Sequence, residues 1–298
     1  MSRIPERNDR KSGGKPAGGR GFKPRSAGPT GGPAKGGWSP RATEADPTAA
    51  PRASRGKVDA DTLLWGRHPV LAALANPARK GMGRLMATPD RAAEIERDGL
   101  AHGHKVEIVE PQQLERLLPQ GAVHQGLVFK VQPLEGVALE DIAEPAKGVI
   151  VMLDQLTDPQ NVGAIFRSAL AFGARGIVVQ DRHSPVLAGA LAKAAAGATE
   201  RLPCARVTNL SRALETLADL GWRAVGLDGA SDETLENALD HRPTVLVMGS
   251  EGDGIRRLVA EHCDVLAKIP MPGGFESLNV SNAAAIALYE ASKARSRR

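Results

Sequence analysis

From Asp61 onward the chain alternates short apolar runs with stretches of helical periodicity, broken at regular intervals by Gly, Pro and Asp. The runs LLWG, GRLMATP, KVEIVE and GLVFKV predict strands. The segments between them, HPVLAALAN, DRAAEIERDGLAHG and PQQLERLLP, predict helices. Together they make a small α/β unit over residues 58–132. Residues 133–146, punctuated by Pro133, Gly136 and Pro145, read as a linker. Beyond it, residues 147–298 alternate more cleanly. Strands are expected at GVIVMLD, GIVVQD, RLPCARV, WRAVGLD, TVLVMG and VLAKIPM, and helices at QNVGAIFRSALAFG, PVLAGALAKAAAG, NLSRALETLADLG and GIRRLVAEHC. Several of these strands are continuous β-branched runs, the pattern of strands covered on both faces by helices. The fold class is therefore α/β, with a doubly wound, mostly parallel sheet. Ligands of such sheets lie where strands end and loops begin.

Three strand ends carry candidate chemistry. After GVIVMLD, Asp158 is placed as an N-cap with Pro159 at the first helical position. Val162, Ile165, Phe166 and Ala169 mark that helix's buried stripe. Arg167 lies off the stripe near Gly163, Ala164 and Ala171, small residues that leave room for an approaching group. On pattern alone Arg167 is a solvated or salt-bridged side chain, and Asn161 in the first turn is a cap or backbone partner. After TVLVMG, the stretch GSEGDG brings Gly249, Gly252 and Gly254 around Glu251, so backbone can come close to a ligand. It is neither a G-x-G-x-x-G fingerprint nor a Walker A loop, which argues against an ordinary dinucleotide site or a P-loop nucleotidase. After VLAKIPM come Gly273 and Gly274, then Ser277, Asn279, Ser281 and Asn282 ahead of a helix that is apolar on nearly every side. Capping accounts for one of these polar residues but not for all four. The apolar helix predicts burial against its own sheet and against a second subunit.

Charge is unevenly distributed. Residues 1–57 hold 13 Lys/Arg against 4 Asp/Glu, and the remaining residues hold 26 against 30, so the net +5 belongs to the tail. Rich in Gly, Pro, Lys and Arg, with Phe22 and Trp38 as its only aromatics, the tail is expected to be disordered. Its composition suits RNA phosphates and stacked bases, and equally suits a solubilising linker. No apolar run is long enough to span a bilayer and no signal peptide opens the chain. Cys204 and Cys263 stand far apart without a C-x-x-C, so neither a disulfide nor structural zinc is expected, in keeping with a reducing cytoplasm. His102 and His104 flank Gly103 in what reads as a surface turn and not a metal site, and His124 precedes a strand where it could touch RNA.

Taken together, NVGAIFRSALAFGA, LVMGSEGDGI and IPMPGGFESLNVSNAAAIALYEA resemble the three ordered signature motifs of the SpoU/TrmH family of RNA ribose 2′-O-methyltransferases. GRHPVLAAL and VHQGLVFKV in the first unit resemble the ribosomal-protein-L30e-like substrate-binding domain of the branch that includes the 23S ribosomal RNA guanosine 2′-O-methyltransferase. The resemblance implies a C-terminal trefoil knot, S-adenosylmethionine as cofactor, no metal, and a homodimer formed through the C-terminal helices. Carried over by motif position, Gly249, Ile269 and Leu278 would contact the adenosyl portion, with Met248, Met271 and Gly274 beside them. Arg167, Glu251, Ser277, Asn279 and Asn161 would form the catalytic constellation. Ribosomal RNA is the substrate implied. Transfer RNA is the alternative substrate, and a non-catalytic RNA-binding ribosome-assembly factor is the alternative of a different class.

Overall fold

The computed structural model describes residues 60–273 and 278–296. The basic tail, residues 274–277 and the last two residues lie outside the described residues, and with them the expectations for the tail, Gly274 and Ser277.

The first lobe is a four-stranded sheet with strands β1 (Leu63–Trp65), β2 (Arg84–Ala87), β3 (Val106–Ile108) and β4 (Leu127–Lys130) in the order β1-β4-β2-β3. Strand β4 runs antiparallel to both its neighbours, and β3 runs parallel to β2. Helices α1 (Arg67–Ala75), α2 (Pro89–Arg97) and α3 (Pro111–Leu117) connect them. Helices α2 and α3 each open on a proline, whose missing N–H costs nothing at the first helical position.

The second lobe is built on six parallel strands, β5 (Val149–Leu153), β6 (Gly176–Gln180), β7 (Cys204–Val207), β8 (Arg223–Leu227), β9 (Thr244–Met248) and β10 (Val265–Ala267), in the order β10-β8-β9-β5-β6-β7. Helices α4 (Leu139–Ala143), α5 (Pro159–Ala171), α6 (Gly189–Ala195), α7 (Leu210–Asp219), α8 (Leu235–Ala238), α9 (Arg257–Ala260) and α10 (Val280–Ser296) pack around the sheet. The side chains of β5 alternate between two cores. Val149, Val151 and Leu153 pack with Ile165 and Phe166 of α5 and Ala284, Ala287 and Leu288 of α10. Ile150 and Met152 pack with Ile142 of α4 and Leu210, Leu214 and Leu217 of α7. Burial on both faces explains the unbroken apolar runs of β5 and β9. From β5 the chain winds first to β6 and β7, and the later strands lie on its other side. The order therefore reverses between β5 and β9, and a crevice opens at their carboxyl ends.

The structure departs from the sequence pattern in several places. The stretch expected as a linker contains α4, Ile142 is buried, and Trp222 donates its indole N–H to the Ala143 carbonyl at 2.9 Å. A five-residue helix is too short to display a period. Helix α9 is a single turn, because Gly254 and Ile255 belong to the preceding loop. Next, His104 is buried edge-on against Phe129, with ring centroids 5.1 Å apart, and does not lie on the surface. Finally, the lobes share a core: Ala188 and Ala192, on the approach to and within α6, pack with Leu64, Val70 and Phe129 of the first lobe. Beside that core Glu200 receives both Nε and Nη2 of Arg79, at 2.8 and 2.9 Å.

Helix α10 buries Val280, Ala284, Ala287, Leu288 and Ala291 against the sheet. Ile286 and Tyr289 remain exposed on its outer side. Among the described residues no helix is long and apolar enough to cross a membrane.

Candidate functional site

The site is built at the crevice where β5 and β9 end. Asp154 closes β5 with a fully buried carboxylate. An isolated charge there would be costly, and Arg256 compensates it: its backbone N–H and Nε donate to Asp154 at 2.8 and 2.7 Å, while its Nη2 donates to Gln180 at 3.1 Å. The Asp154 N–H in turn donates to the Met248 carbonyl at 2.8 Å. These bonds pin both ends of the loop after β9 to β5. Sequence reasoning passed over Asp154 and Arg256, although a carboxylate at the end of a wholly apolar strand is a signal that some cation must meet it.

Within that loop Ser250 and Gly254 exchange backbone hydrogen bonds at 3.0 and 3.1 Å, and Gly252 and Gly254 take φ of +97° and +67°. The turn folds back on its own start. A Cβ on Gly249 would lie 2.1 Å from the Gly254 carbonyl carbon and 2.2 Å from the Ile255 nitrogen. Gly249 is thus required by the loop's own backbone. Gly252, Gly254 and Gly273 face open space instead. Gly163 is likewise covered: the room expected beside it is taken by α6, whose Leu191 carbonyl would lie 2.5 Å from an added Cβ.

The tight turn projects Glu251 towards the starts of α5 and α10. Its Oε1 accepts from Asn279 Nδ2 at 2.8 Å, Asn161 Nδ2 at 3.2 Å and the Val280 N–H at 3.2 Å. Asn279 Nδ2 also donates to Asn161 Oδ1 at 2.9 Å. The carboxylate therefore sits at the positive end of α10, where a helix favours negative charge. Asn161 is held from below, since Asp158 accepts from the Gln160 and Asn161 N–H groups at 3.2 and 3.0 Å. Asn279 is itself the cap of α10, its Oδ1 accepting from the Ser281 N–H at 3.0 Å and Asn282 N–H at 3.4 Å.

Three of the five candidate catalytic residues, Asn161, Glu251 and Asn279, are thus hydrogen-bonded to one another. Arg167 is exposed on α5 and has no ion-pair partner among the described residues. It lies six positions beyond Asn161, about 9 Å along the helix axis and on a different face. Of the candidate cofactor contacts, Ile269, Met271 and Leu278 are half-buried along the approach to α10, whereas the Met248 side chain is fully in the core. His124 shapes its own turn, accepting the Gly126 N–H on Nδ1 at 3.0 Å. Both thiols are buried enough to be pushed up, Cys204 to about 11 and Cys263 to about 12. No group of three His, Cys, Asp or Glu among the described residues is arranged to hold a metal ion.

Residues 148–289 match the SpoU rRNA Methylase family, and residues 63–137 match the family described as RNA 2′-O ribose methyltransferase substrate binding. An uncharacterized tRNA/rRNA methyltransferase of Mycolicibacterium smegmatis is 40% identical over 252 residues, covering 82% of this chain and 80% of that protein. Among solved structures, the SpoU methyltransferase AviRb from Streptomyces viridochromogenes, in complex with AdoMet, superposes with a TM-score of 0.66 at 28% identity, over 79% of this chain and 90% of AviRb. An AdoMet-bound rRNA methyltransferase from Sinorhizobium meliloti gives a TM-score of 0.66 at 26% identity, over 78% of this chain and 87% of that one. Both carry an α/β fold like the one described, and the chain belongs to the SpoU/TrmH family of RNA methyltransferases.

Proposed function

We propose that this protein transfers a methyl group from S-adenosylmethionine to a ribose 2′-oxygen of RNA, with a guanosine of 23S ribosomal RNA as the acceptor. The observation that carries the reading is the Glu251 hub, which ties one residue from each of the three motif-bearing loops into a single polar cluster. The match of residues 63–137 to a substrate-binding family described by 2′-O ribose chemistry favours the ribose over a base.

The residues at the crevice suit the cofactor. Half-buried Ile269, Met271 and Leu278 offer an apolar surface for an adenosyl group, and Gly273 faces open space beside them. Glu251 and Asp253 give the turn a negative charge that complements a sulfonium and an ammonium. Bound there, S-adenosylmethionine supplies an already activated methyl group. The chain's own task is placement and help for a weakly acidic hydroxyl. Glu251 fixes the amides of Asn161 and Asn279, and Ser277 joins them at the ribose. Arg167 clamps a neighbouring phosphate through its planar guanidinium and stabilises the developing oxyanion.

The remaining organisation follows the same reading. Residues 1–57 are an RNA-attracting tail, 58–132 an L30e-like substrate unit, 133–146 the connection, and 147–298 a knotted catalytic unit working in the cytoplasm. The knot is supported by the return of α10 to the β9 turn, through the bond from Val280 to Glu251, although β10 lies at the sheet edge. Exposed Ile286 and Tyr289 on α10 supply the apolar face for a homodimer.

The test is to incubate the protein with methyl-labelled S-adenosylmethionine and either ribosomal or transfer RNA, then digest with alkali. Label in alkali-resistant dinucleotides of ribosomal RNA is expected, because a 2′-O-methyl group blocks cleavage. Label in mononucleotides would overturn ribose chemistry, and label confined to transfer RNA would overturn the acceptor. Arg167→Ala should abolish turnover while leaving cofactor affinity nearly intact. Substantial activity in Arg167→Lys would refute the planar clamp.

A further inference from the structure

At the opposite end of the second sheet, where β5, β6 and β9 begin, lies a cavity of about 800 Å³. Its lining includes Lys147, Arg175, His241, Arg242 and Arg295, and among the described residues no carboxylate side chain. Some of this charge is already engaged. Arg175 donates to the Ile142 and Glu144 carbonyls at 2.7 and 2.6 Å, and Arg242 pairs with Asp240 at 2.6 Å. These bonds hold both guanidinium groups in place at the rim. Lys147 is exposed and has no ion-pair partner among the described residues.

Arg295, from the last turn of α10, is the unusual member. Among the described residues its buried Nε meets no acceptor, and its bond there is a long one of 3.5 Å from Nη2 to the Phe172 carbonyl. A Cβ on Gly148 would lie 3.1 Å from its Nη1, so the guanidinium rests on bare backbone. Burial pushes its proton affinity down, as expected for a cation without a counter-charge. A buried donor on a charged group carries a full desolvation cost until an acceptor arrives. An anion entering the cavity would supply that acceptor amid several cations.

We propose that this cavity is a phosphate-binding subsite that receives a backbone phosphodiester of the RNA substrate remote from the methylated nucleotide. The choice of RNA rests on the methyltransferase reading above. The chemistry of the cavity does not, and free inorganic phosphates would satisfy the same donors. Helix α10 separates Arg295 from Asn279 by 16 residues, about 24 Å of helix, so one nucleotide cannot touch both sites. The subsite would therefore register a flanking segment of RNA.

The experiment uses the full chain, Lys147→Gln, and the double variant Lys147→Gln/Arg295→Gln. Each is checked by thermal unfolding and titrated with a fluorescent single-stranded 20-nucleotide polyuridylate over a range of salt. Loss of two phosphate contacts lowers the slope of log K against log salt by about 1.4, which at 0.1 M salt is roughly 25-fold in affinity. Lys147→Gln, at an exposed site that cannot unfold the protein, should give about half that slope change, roughly 0.7. Calorimetry with inorganic pyrophosphate should show binding to the wild type that the double variant loses. An unchanged polyuridylate slope in both variants overturns the proposal. Loss of pyrophosphate binding alone overturns RNA as the occupant. Titration of S-adenosylmethionine into the same proteins keeps the two readings apart: no cofactor binding by the wild type sinks methyl transfer, while the slopes still decide the subsite.

Discussion

Replacing Glu200 with alanine tests how the two lobes are joined. The carboxylate receives Nε and Nη2 of Arg79 at 2.8 and 2.9 Å and Nδ2 of Asn76 at 2.9 Å. Side-chain exposures of 5% for Arg79 and 1% for Glu200 leave the pair almost unscreened by water. Without Glu200 the guanidinium keeps, among the described residues, the Gln132 carbonyl at 2.7 Å, and its charge stays buried. Removing one partner of a buried pair costs about 3–5 kcal/mol. In a fold of this size each kcal/mol moves Tm by roughly 2–4 °C, so the expected fall is roughly 6–20 °C. Arg79→Met/Glu200→Leu should recover most of the loss, because attraction and desolvation disappear together.

Trp65 in the first lobe and Trp222 in the second are both buried and provide separate fluorescence reporters of urea unfolding. In Trp65→Phe and Trp222→Phe backgrounds, wild-type Arg79 and Glu200 should give coincident transitions. Glu200→Ala should shift the Trp65 signal at least as far as the Trp222 signal. A Glu200→Ala protein within about 2 °C of wild type, about 0.5–1 kcal/mol at this size, would show the pair to be solvated and the lobes not locked by it. A double variant no more stable than the single one would refute the buried-charge account.

Gly163→Ala should destabilise by about 1–3 kcal/mol, although alanine is the better helix former, because its Cβ would meet the Leu191 carbonyl and the Ala194 Cβ at 2.5 and 2.6 Å. A lower urea midpoint at constant slope is the expected reading, and a raised midpoint would show that α5 and α6 can separate cheaply. His104 is held below its ordinary value by burial, so folding opposes its protonation. Stability should therefore be untouched above about pH 6.5 and decline as pH falls from there through the lower folded value, and His104→Phe should flatten that decline. With Cys204 pushed up to about 11 and Cys263 to about 12, Ellman's reagent at pH 8 should label the native protein only slowly and the urea-unfolded protein at once. Rapid native labelling would mean the thiols are reached by opening.

The elements that could be read from the sequence are those whose burial repeats along the chain. Strands β5 and β9 are covered on both faces, so their runs are unbroken, and α5 begins at an Asp-Pro pair that acts as cap and first turn. The loops after β9 and β10 could be read because glycines gather there at strand ends. Features that depend on partners distant in sequence could not. Arg79 and Glu200 are separated by 121 residues, and Asp154 and Arg256 by 102, so no local pattern joins them. The purpose of a glycine was equally hidden. Gly249 looks identical in sequence to Gly273, yet one is packed against its own loop and the other faces open space. Helix α4 escaped because its anchor, the bond from Trp222 to Ala143, comes from 79 residues further on.

The polar residues ahead of α10 make sense once structure and site are seen to use the same atoms. Asn279 turns its Oδ1 inward to cap the helix and its Nδ2 outward to Glu251 and Asn161. The Val280 N–H, one of the donors a helix leaves unsatisfied at its start, is met by Glu251 from the β9 turn rather than by a side chain of the helix itself. The position of the carboxylate is therefore fixed by the backbone of α10, and the start of α10 is fixed by the site. Aspartate at 279 would keep the cap oxygens but set a second carboxylate beside Glu251, while serine would cap without reaching across. Only an amide at this length donates and accepts in the two directions required, which ties the first turn of a structural helix to the chemistry of the crevice.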